Sequence, residues 1–182
     1  MGRQRTIDRE KLLDAAEEIV ITQGAAALTI DAVAKAMEIS KGGVQYCFGN
    51  KEALIDAMFE RWGQSYDEIF NRETSQDNSP ENRVNAHRLA IYQHDQIAIA
   101  KGAALMAGLL QIPEYLESTR QWYRERIANL DTSTEKGKRA RLMFLATEGA
   151  FMLRYFGLMD INESEWQSMF NDMANLLSPH RT

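Results

Sequence analysis

The chain carries apolar residues at steps of three and four positions, the spacing that gathers them on one face of an α-helix. In residues 8–22 this face includes Leu12, Ala16 and Ile19, with charged positions between them. Gly24 follows as a stop, because glycine readily adopts the left-handed conformation that ends many helices. The pattern therefore predicts a first amphipathic helix over residues 8–22.

Two short helices follow, separated by a short turn. Thr29 is a suitable N-cap for the first, whose apolar face extends to Met37. Ser40 is a suitable N-cap for the second, and Gly49-Asn50 interrupts the pattern before a long helix. The start of the chain thus predicts three helices, of which the last two form a helix-turn-helix arrangement.

The rest of the chain predicts six further helices, delimited by polar clusters, prolines and N-cap residues. Their expected spans are 51–72, 80–92, 96–111, 113–130, 135–159 and 163–177. The helix over 135–159 is apolar on nearly every side, so it must be buried on every side. No stretch alternates apolar and polar residues as a strand would. We expect an all-α fold of about nine helices, with a three-helix domain over 1–51 and a larger helical domain over 52–182.

The composition narrows the class of protein. The 182 residues are 45% hydrophobic with a formal net charge of −5, which excludes a uniformly basic nucleic-acid coat. Residues 1–51 contain seven basic and seven acidic side chains, so this part is neutral and the rest is acidic. The single cysteine, Cys47, excludes an internal disulfide. The sequence has neither an apolar run long enough to span a membrane nor a signal-peptide core, so we expect a cytoplasmic protein.

One continuous run carries a family signature. Residues 29–54 read TIDAVAKAMEISKGGVQYCFGNKEAL. In order, they give a threonine, an apolar pair, a short turn, Ser-Lys-Gly, an aromatic cluster ending in Phe48, and Lys-Glu-x-Leu. This order resembles the DNA-binding signature of the TetR family of bacterial transcriptional regulators. The resemblance implies that 1–51 is a DNA-binding domain and that 52–182 binds an effector and forms a dimer.

The resemblance implies contacts to DNA by ten residues: Arg3, Arg5, Thr29, Lys41, Gly42, Gly43, Val44, Gln45, Tyr46 and Lys51. Thr29, Lys41, Tyr46 and Lys51 are the expected phosphate contacts, and Arg3 and Arg5 form a basic arm. The helix N-terminus at Lys41 suits a phosphate, because its backbone amides are unpaired and its partial charge is positive. Gln45 is the candidate for base reading, since its amide can pair with adenine in the major groove. Gly43, Gln45 and Cys47 depart from the family pattern, which leaves the operator sequence open.

The larger domain mixes bulky and small side chains in a way that can leave a cavity between helices. The resemblance implies an effector pocket lined by Trp62, Tyr66, Met106, Trp122, Tyr123, Phe144, Glu148, Phe151, Met152 and Tyr155. Glu148 interrupts an apolar run, so it must be paired, protonated or facing a cavity. Facing the pocket, it would hold a cationic or hydrogen-bond-donating lipophilic molecule. The alternative is a salt bridge with Arg120, Arg124 or Arg154.

The last two predicted helices carry more apolar surface than one subunit can cover, which indicates a second copy of the chain. The resemblance implies a two-fold, four-helix interface formed by Leu153, Phe156, Trp166, Met169, Phe170, Met173 and Leu177. Two recognition helices would then fit successive major grooves of an inverted repeat. We expect a homodimeric regulator, most simply a repressor that a small lipophilic effector releases from its double-stranded DNA operator.

Other classes of function have less support. A helical dimeric protein-interaction module with a degenerate DNA-binding head is the main alternative, favoured by the neutral head and by Glu38 at a turn position where the family usually has glycine. His87 and His94, with Asp95, suggest a metal site, although such a polar stretch more often faces solvent or a pocket wall. Because no catalytic or phosphate-binding motif occurs, we expect neither an enzyme nor a cofactor.

Overall fold

The computed structural model describes residues 8–109 and 113–177, which leaves the expected contacts of Arg3 and Arg5 outside the described residues. These ranges contain nine α-helices, one short 3-10 helix at Ala25–Ala27 and no strand, as the hydrophobic pattern predicts. The helices are α1 Arg9–Gln23, α2 Ile30–Ala36, α3 Lys41–Phe48, α4 Lys51–Thr74, α5 Pro80–Gln93, α6 Gln96–Leu109, α7 Pro113–Arg126, α8 Glu135–Tyr155 and α9 Glu163–Asn175.

Polar side chains set most of the helix starts. Each accepts a hydrogen bond from a backbone N–H in the first helical turn, where no backbone partner exists. These residues are Asp8, Thr29, Ser40, Asn50, Ser79, Asp95, Thr134 and Asn162. Asn162 and Glu165 cap each other reciprocally, which forms a capping box. Because the capping residues are visible in the sequence, the helix starts could be predicted from it.

The N-terminal head, which comprises α1, the 3-10 helix, α2 and α3, packs around its own apolar core. Leu12, Val33 and Val44 are fully buried in that core. The core also takes in α4 residues as far as Trp62, and Leu105 from α6. The packing of the head therefore extends well beyond the expected boundary at residue 51.

A second apolar core joins α4, α5, α6, α8 and α9. The buried face of α8 packs there through Met143, Phe144 and Phe151. On its other face, Leu142 and Leu145 are exposed, so a single chain does not bury α8 on every side. No helix of the described ranges is long and apolar enough to cross a membrane.

Candidate DNA-contact surface and central cavity

The outer face of α3 has the features expected of a recognition helix. Ser40 caps the helix by accepting a hydrogen bond from Gly43 N at 3.2 Å. Lys41, Gly42 and Gln45 are exposed around the first turns, and Tyr46 is 89% exposed. An aromatic side chain held that far out of the core has no packing role within the described residues, so α3 presents polar and aromatic groups to solvent.

One of the expected contacts within α3 is not on this face. Val44 is fully buried in the core of the head, and Gly43 is half-buried. Val44 and Phe48 are one helical turn apart, so both lie on the side of α3 that packs inward. A buried side chain cannot reach a base edge, and Val44 is therefore corrected from a DNA contact to a core residue.

Ion pairing and capping at the start of each helix leave the expected phosphate contacts accessible. Lys41 Nζ lies 3.2 Å from Asp31 Oδ2, and both side chains are mostly exposed, so the pair contributes little to stability. Thr29 Oγ1 accepts a hydrogen bond from Ala32 N at 3.0 Å, which does not use its hydroxyl hydrogen. Lys51 is the half-buried first residue of α4. The three residues stand at the N-terminal ends of α2, α3 and α4.

The turn between α2 and α3 is a Schellman motif with a glutamate where glycine is preferred. Glu38 has φ 53°, in the left-handed region. Glu38 N donates to Lys35 O at 3.2 Å, and Ile39 N donates to Ala34 O at 3.0 Å, the two hydrogen bonds that define the motif. The side chain of Glu38 is exposed beside the start of α3. The sequence indicated this strained position, and the structure confirms it.

A central cavity of about 480 Å³ lies behind the head, between α4, α5, α6, α7 and α8. Its described lining residues are Asp56, Phe59, Glu60, Trp62, Gly63, Tyr66, Asp67, Ile91, His94, Ala98, Ile99, Gly102, Ala103, Met106, Thr119, Trp122, Tyr123 and Phe151. The wall is mainly aromatic and aliphatic, and the volume suits a drug-sized molecule.

Six of the ten expected pocket residues line this cavity: Trp62, Tyr66, Met106, Trp122, Tyr123 and Phe151. Phe144, Glu148, Met152 and Tyr155 are not part of its lining. The α8 helix turns Phe151 toward the cavity and packs Phe144 and Glu148 behind the wall, so these two are corrected to residues of the second core and its polar network. Met152 and Tyr155 are partly buried against the second core.

The cavity carries negative charge that the sequence pattern did not indicate. Asp56, Glu60 and Asp67 are exposed residues of α4 that line the cavity, with one helical turn between the first two and two turns between the last two. None of the three has an ion-pair partner among the described residues, and no described lining residue is Lys or Arg. Burial lowers the pKa of His94, which keeps its imidazole neutral at neutral pH. The cavity therefore combines aromatic faces with an anionic side.

Glu148 is paired, but not with an arginine. Its Oε1 lies 2.6 Å from His87 Nε2, and the hydroxyl of Tyr123 donates to its Oε2 at 2.7 Å. The arginines that we expected as partners bind elsewhere: Arg120 and Arg124 pair with Glu117, and Arg154 pairs with Glu163. His87 lies 61 positions away along the chain, a partner that no local pattern could indicate.

The hydrogen bonds continue from His87 to the cavity wall. His87 Nδ1 lies 2.8 Å from the hydroxyl of Tyr66, which accepts from Arg126 Nε at 3.0 Å. Because Tyr66 accepts from Arg126, its hydrogen is directed to Nδ1, which leaves Nε2–H to donate to Glu148. Burial raises the pKa of both Tyr66 and Tyr123, so both hydroxyls keep their protons. The network fixes the two cavity-facing tyrosine rings from behind.

The histidines do not form a metal site in the described part of the chain. Both ring nitrogens of His87 are used by Tyr66 and Glu148, and His94 Nδ1 pairs with Ser65 Oγ. No cluster of three potential metal ligands occurs among the described residues. The metal-site interpretation is therefore not supported by the positions of these side chains.

The apolar surface available to a second copy differs from the expected one. Trp166, Phe170 and Met173 are buried within one chain, because α9 packs them against α8 and α5, so these three are corrected to core residues. Leu153, Phe156, Met169 and Leu177 are partly buried. The large apolar side chains of α8 and of the loop before α9 that remain exposed are Leu142, Leu145, Leu158 and Met159, none of which is among the residues expected at the interface.

Comparison with known proteins places both halves of the chain. Residues 12–58 match the family described as "Bacterial regulatory proteins, tetR family". Residues 81–178, more than half of the chain, match "Tetracyclin repressor-like, C-terminal domain". No curated protein sequence matches the chain.

Solved structures share the fold over nearly the whole length. A transcriptional regulator of Streptomyces coelicolor A3(2) has a TM-score of 0.59 at 18% identity, covering 94% of this chain and 98% of that one. A TetR-family regulator from Rhodococcus sp. has a TM-score of 0.57 at 16% identity, with 93% and 98% covered. SmeT in complex with triclosan has a TM-score of 0.61 at 18% identity, with 94% and 95% covered. At these identities the likeness to solved structures concerns the fold alone. The two family matches show that the chain belongs to the TetR family of transcriptional regulators, which are DNA-binding proteins and not enzymes.

Proposed function

We propose that this regulator is a homodimeric repressor that leaves its operator when a small lipophilic cation enters the central cavity. One observation carries the proposal: the cavity and the head share a core. Trp62 lines the cavity and is buried in the head core, and Leu105, on the adjacent α6, is buried there too. An occupant that moves this wall therefore moves part of the packing that orients α3, so binding of ligand and of DNA are reciprocally coupled.

The DNA-binding mode rests on the exposed groups at the helix starts. Gln45 and Tyr46 project from α3, and Thr29, Lys41 and Lys51 stand at helix N-termini where the macrodipole favours a phosphate. Residues 1–51 as a whole are neutral. Without net positive charge, this part of the chain is expected to bind DNA of arbitrary sequence weakly. The few contacts that one copy makes are then doubled when a dimer binds an inverted repeat, and the dimer supplies the affinity.

The proposed dimer rests on the exposed apolar side of α8. Leu142 and Leu145 lie one turn apart on α8, and Leu158 and Met159 follow in the loop before α9. Covering these four side chains with apolar surface would remove them from water, which favours association with a partner. A second copy bound through a two-fold axis would place the same surface of both copies in the interface.

The charge of the effector follows from the cavity lining. Asp56, Glu60 and Asp67 supply negative charge without a described counter-ion, and six aromatic rings line the same space. A cation with aromatic or aliphatic substituents gains both electrostatic attraction and contact with ring faces. An anion of equal size gains the apolar contact but is repelled by three carboxylates. SmeT, a structural neighbour, is known in complex with triclosan, which supports a hydrophobic occupant in this fold.

Tetraphenylphosphonium and tetraphenylborate separate charge from size, because the two ions have nearly the same shape and opposite charge. We expect calorimetry to show tetraphenylphosphonium binding at least about tenfold more tightly, a difference of about 1.4 kcal/mol. The triple variant Asp56→Asn, Glu60→Gln, Asp67→Asn should lose most of that preference. Equal affinity for both ions, or preference for the anion, would contradict a cationic effector.

The operator can be found by selecting a random duplex library on the purified protein at moderate salt. We expect an enriched inverted repeat whose half-sites are about one helical turn, 34–36 Å, apart. Adding tetraphenylphosphonium should weaken binding to that duplex. A folded dimer that enriches no sequence would instead favour a protein-interaction module with a degenerate head.

A further inference from the structure

The α6 helix has one face in the central cavity and another face in the head. Ile99, Gly102 and Met106 line the cavity. Leu105 is buried in the core of the head. A Cβ atom at Gly108 would lie only 2.5 Å from Ala25 Cβ, so α6 approaches the head as closely as a glycine allows. A shift of α6 away from the cavity must therefore displace the head.

A buried carboxylate joins this helix to α1 and α4. Glu17 lies on α1 and its side chain is 6% exposed. The indole N–H of Trp62 donates to Glu17 Oε1 at 2.7 Å, and Lys101 Nζ donates to Oε2 at 2.5 Å. Trp62 lines the cavity, and Lys101 immediately precedes the lining residue Gly102. Glu17 is thus the one head side chain in the described ranges that bonds to both cavity-forming helices, α4 and α6.

The ring of Trp62 is confined from two sides. Its Cε3 lies 3.9 Å from the position that a Cβ at Gly102 would occupy, so α6 backs the ring closely. Its N–H is held by Glu17. A ring so confined cannot yield to an occupant without stretching the Glu17 hydrogen bond or moving α6, and α6 is held to the same carboxylate through Lys101.

We propose that Glu17 is the positioning residue through which the state of the cavity reaches the DNA-binding head. Its carboxylate keeps the Trp62 ring and α6 in register with α1, so displacement of either one is passed to α1 as a movement or loosening of that helix. The inference rests on the proposed control of DNA binding by the cavity, but it concerns which contact carries the control.

A built-in occupant tests the contact without operator or effector. Gly102→Phe adds a ring next to Trp62 in the cavity. Hydrogen–deuterium exchange followed by mass spectrometry then reports on the amides of α1 in the full chain. In the wild-type background, we expect Gly102→Phe to raise exchange in α1 about fivefold or more, at the lower end of usual allosteric couplings.

Three backgrounds identify the role of Glu17. Glu17→Leu removes the bonds to Trp62 and Lys101 and also the ion pair between Glu17 Oε1 and Arg61 Nη1 at 3.4 Å. Lys101, whose side chain is 29% exposed, can turn to solvent. Glu17→Gln keeps an acceptor for Trp62 and loses the charge that holds Lys101. Asp14→Asn is the matched control, because Asp14 lies one turn earlier on α1 and pairs with Arg61, as Glu17 also does, but bonds to neither Trp62 nor Lys101. We expect the effect of Gly102→Phe to be nearly absent with Glu17→Leu, intermediate with Glu17→Gln and unchanged with Asp14→Asn.

The same Gly102→Phe effect in all backgrounds, or none in the wild type, would overturn the proposal. A purely structural role of Glu17 predicts a different result. Glu17→Leu alone would raise exchange throughout the head, while the ratio of the α1 exchange rates with and without Gly102→Phe would be the same in every background. Thermal unfolding verifies that each variant is folded, and Gly102→Met replaces Gly102→Phe if the larger ring prevents folding. Library selection tests DNA binding separately, so a failure of the proposed function is distinguishable from a failure of this contact.

Discussion

Replacing Glu38 by glycine should both stabilise the head and strengthen DNA binding. Glu38 is held at φ 53° by the two hydrogen bonds of the Schellman motif. The left-handed conformation costs a residue with a Cβ about 1–2 kcal/mol. The greater freedom of glycine in the unfolded chain offsets about 0.5–1 kcal/mol. The net expected gain is therefore about 0.5–1 kcal/mol, and a shift of about 1–4 °C in the melting temperature.

The variant Glu38→Ala separates strain from charge. Alanine keeps the Cβ atom and hence the strain, but it removes the carboxylate beside the start of α3. Both variants should bind the selected duplex about twofold to threefold more tightly at low salt, and the gain should shrink as salt rises. Only Glu38→Gly should raise the free energy of unfolding.

Urea denaturation at a fixed protein concentration and fluorescence anisotropy with labelled duplex measure the two effects. The denaturation slope should stay constant, so that a higher midpoint reports stability alone. Loss of stability in Glu38→Gly would refute the strain argument and indicate that the side chain makes a stabilising contact. Unchanged DNA affinity in both variants would mean that Glu38 points away from the phosphates.

Three further predictions concern binding, assembly and pH. Lys51→Ala should weaken binding to every duplex and reduce the slope of log affinity against log salt by about one, whereas Gln45→Ala should relax sequence preference more than affinity; the reverse pattern in anisotropy titrations would exchange their roles. Leu145→Glu should place a charge in the exposed apolar patch and give monomers in sedimentation velocity, and a persisting dimer would locate the interface elsewhere. Because burial lowers the pKa of His94, its protonation favours the unfolded chain, so stability should fall as pH drops below the unfolded pKa of about 6.5. His94→Gln should reduce that loss, and an identical pH profile in the variant would assign it to other groups.

The sequence predicts helices well because their signals are local. Ser40, Asn50 and Asn162 stand where caps are needed, and the hydrogen bonds that they accept lie within three residues. The orientation of a short helix is harder to predict. In the eight residues of α3, Val44 and Gln45 are neighbours, yet one is buried and the other exposed. Only the packing of α3 against the rest of the head decides which of them can meet DNA.

The cavity depends on contacts that are distant in sequence. A mixture of large and small residues indicated that a space exists, and six of its lining residues were expected. The partners of Glu17 and Glu148 lie on other helices, at separations of 84 and 61 positions for Lys101 and His87. Helical periodicity carries no information about such pairs. The same limit explains why the periodicity of α4 gave no sign that its exposed carboxylates line the cavity.

The shared core has a consequence for attempts to exchange DNA specificity between regulators. A chimera joined at residue 51 would bring in a foreign α1 to α3 without the side chains that complete its interior, since Leu54, Met58 and Leu105 come from the recipient. Such a hybrid is expected to melt early or to respond to no ligand, even when the grafted recognition helix is intact. A graft that carries the donor α4 as far as Trp62, together with matched residues at 101, 105 and 108, would preserve the core of the head. It would also preserve the proposed coupling between the cavity and DNA binding. The part of this protein that can be exchanged as a whole is therefore defined by its shared core, to which two distant segments of the chain contribute.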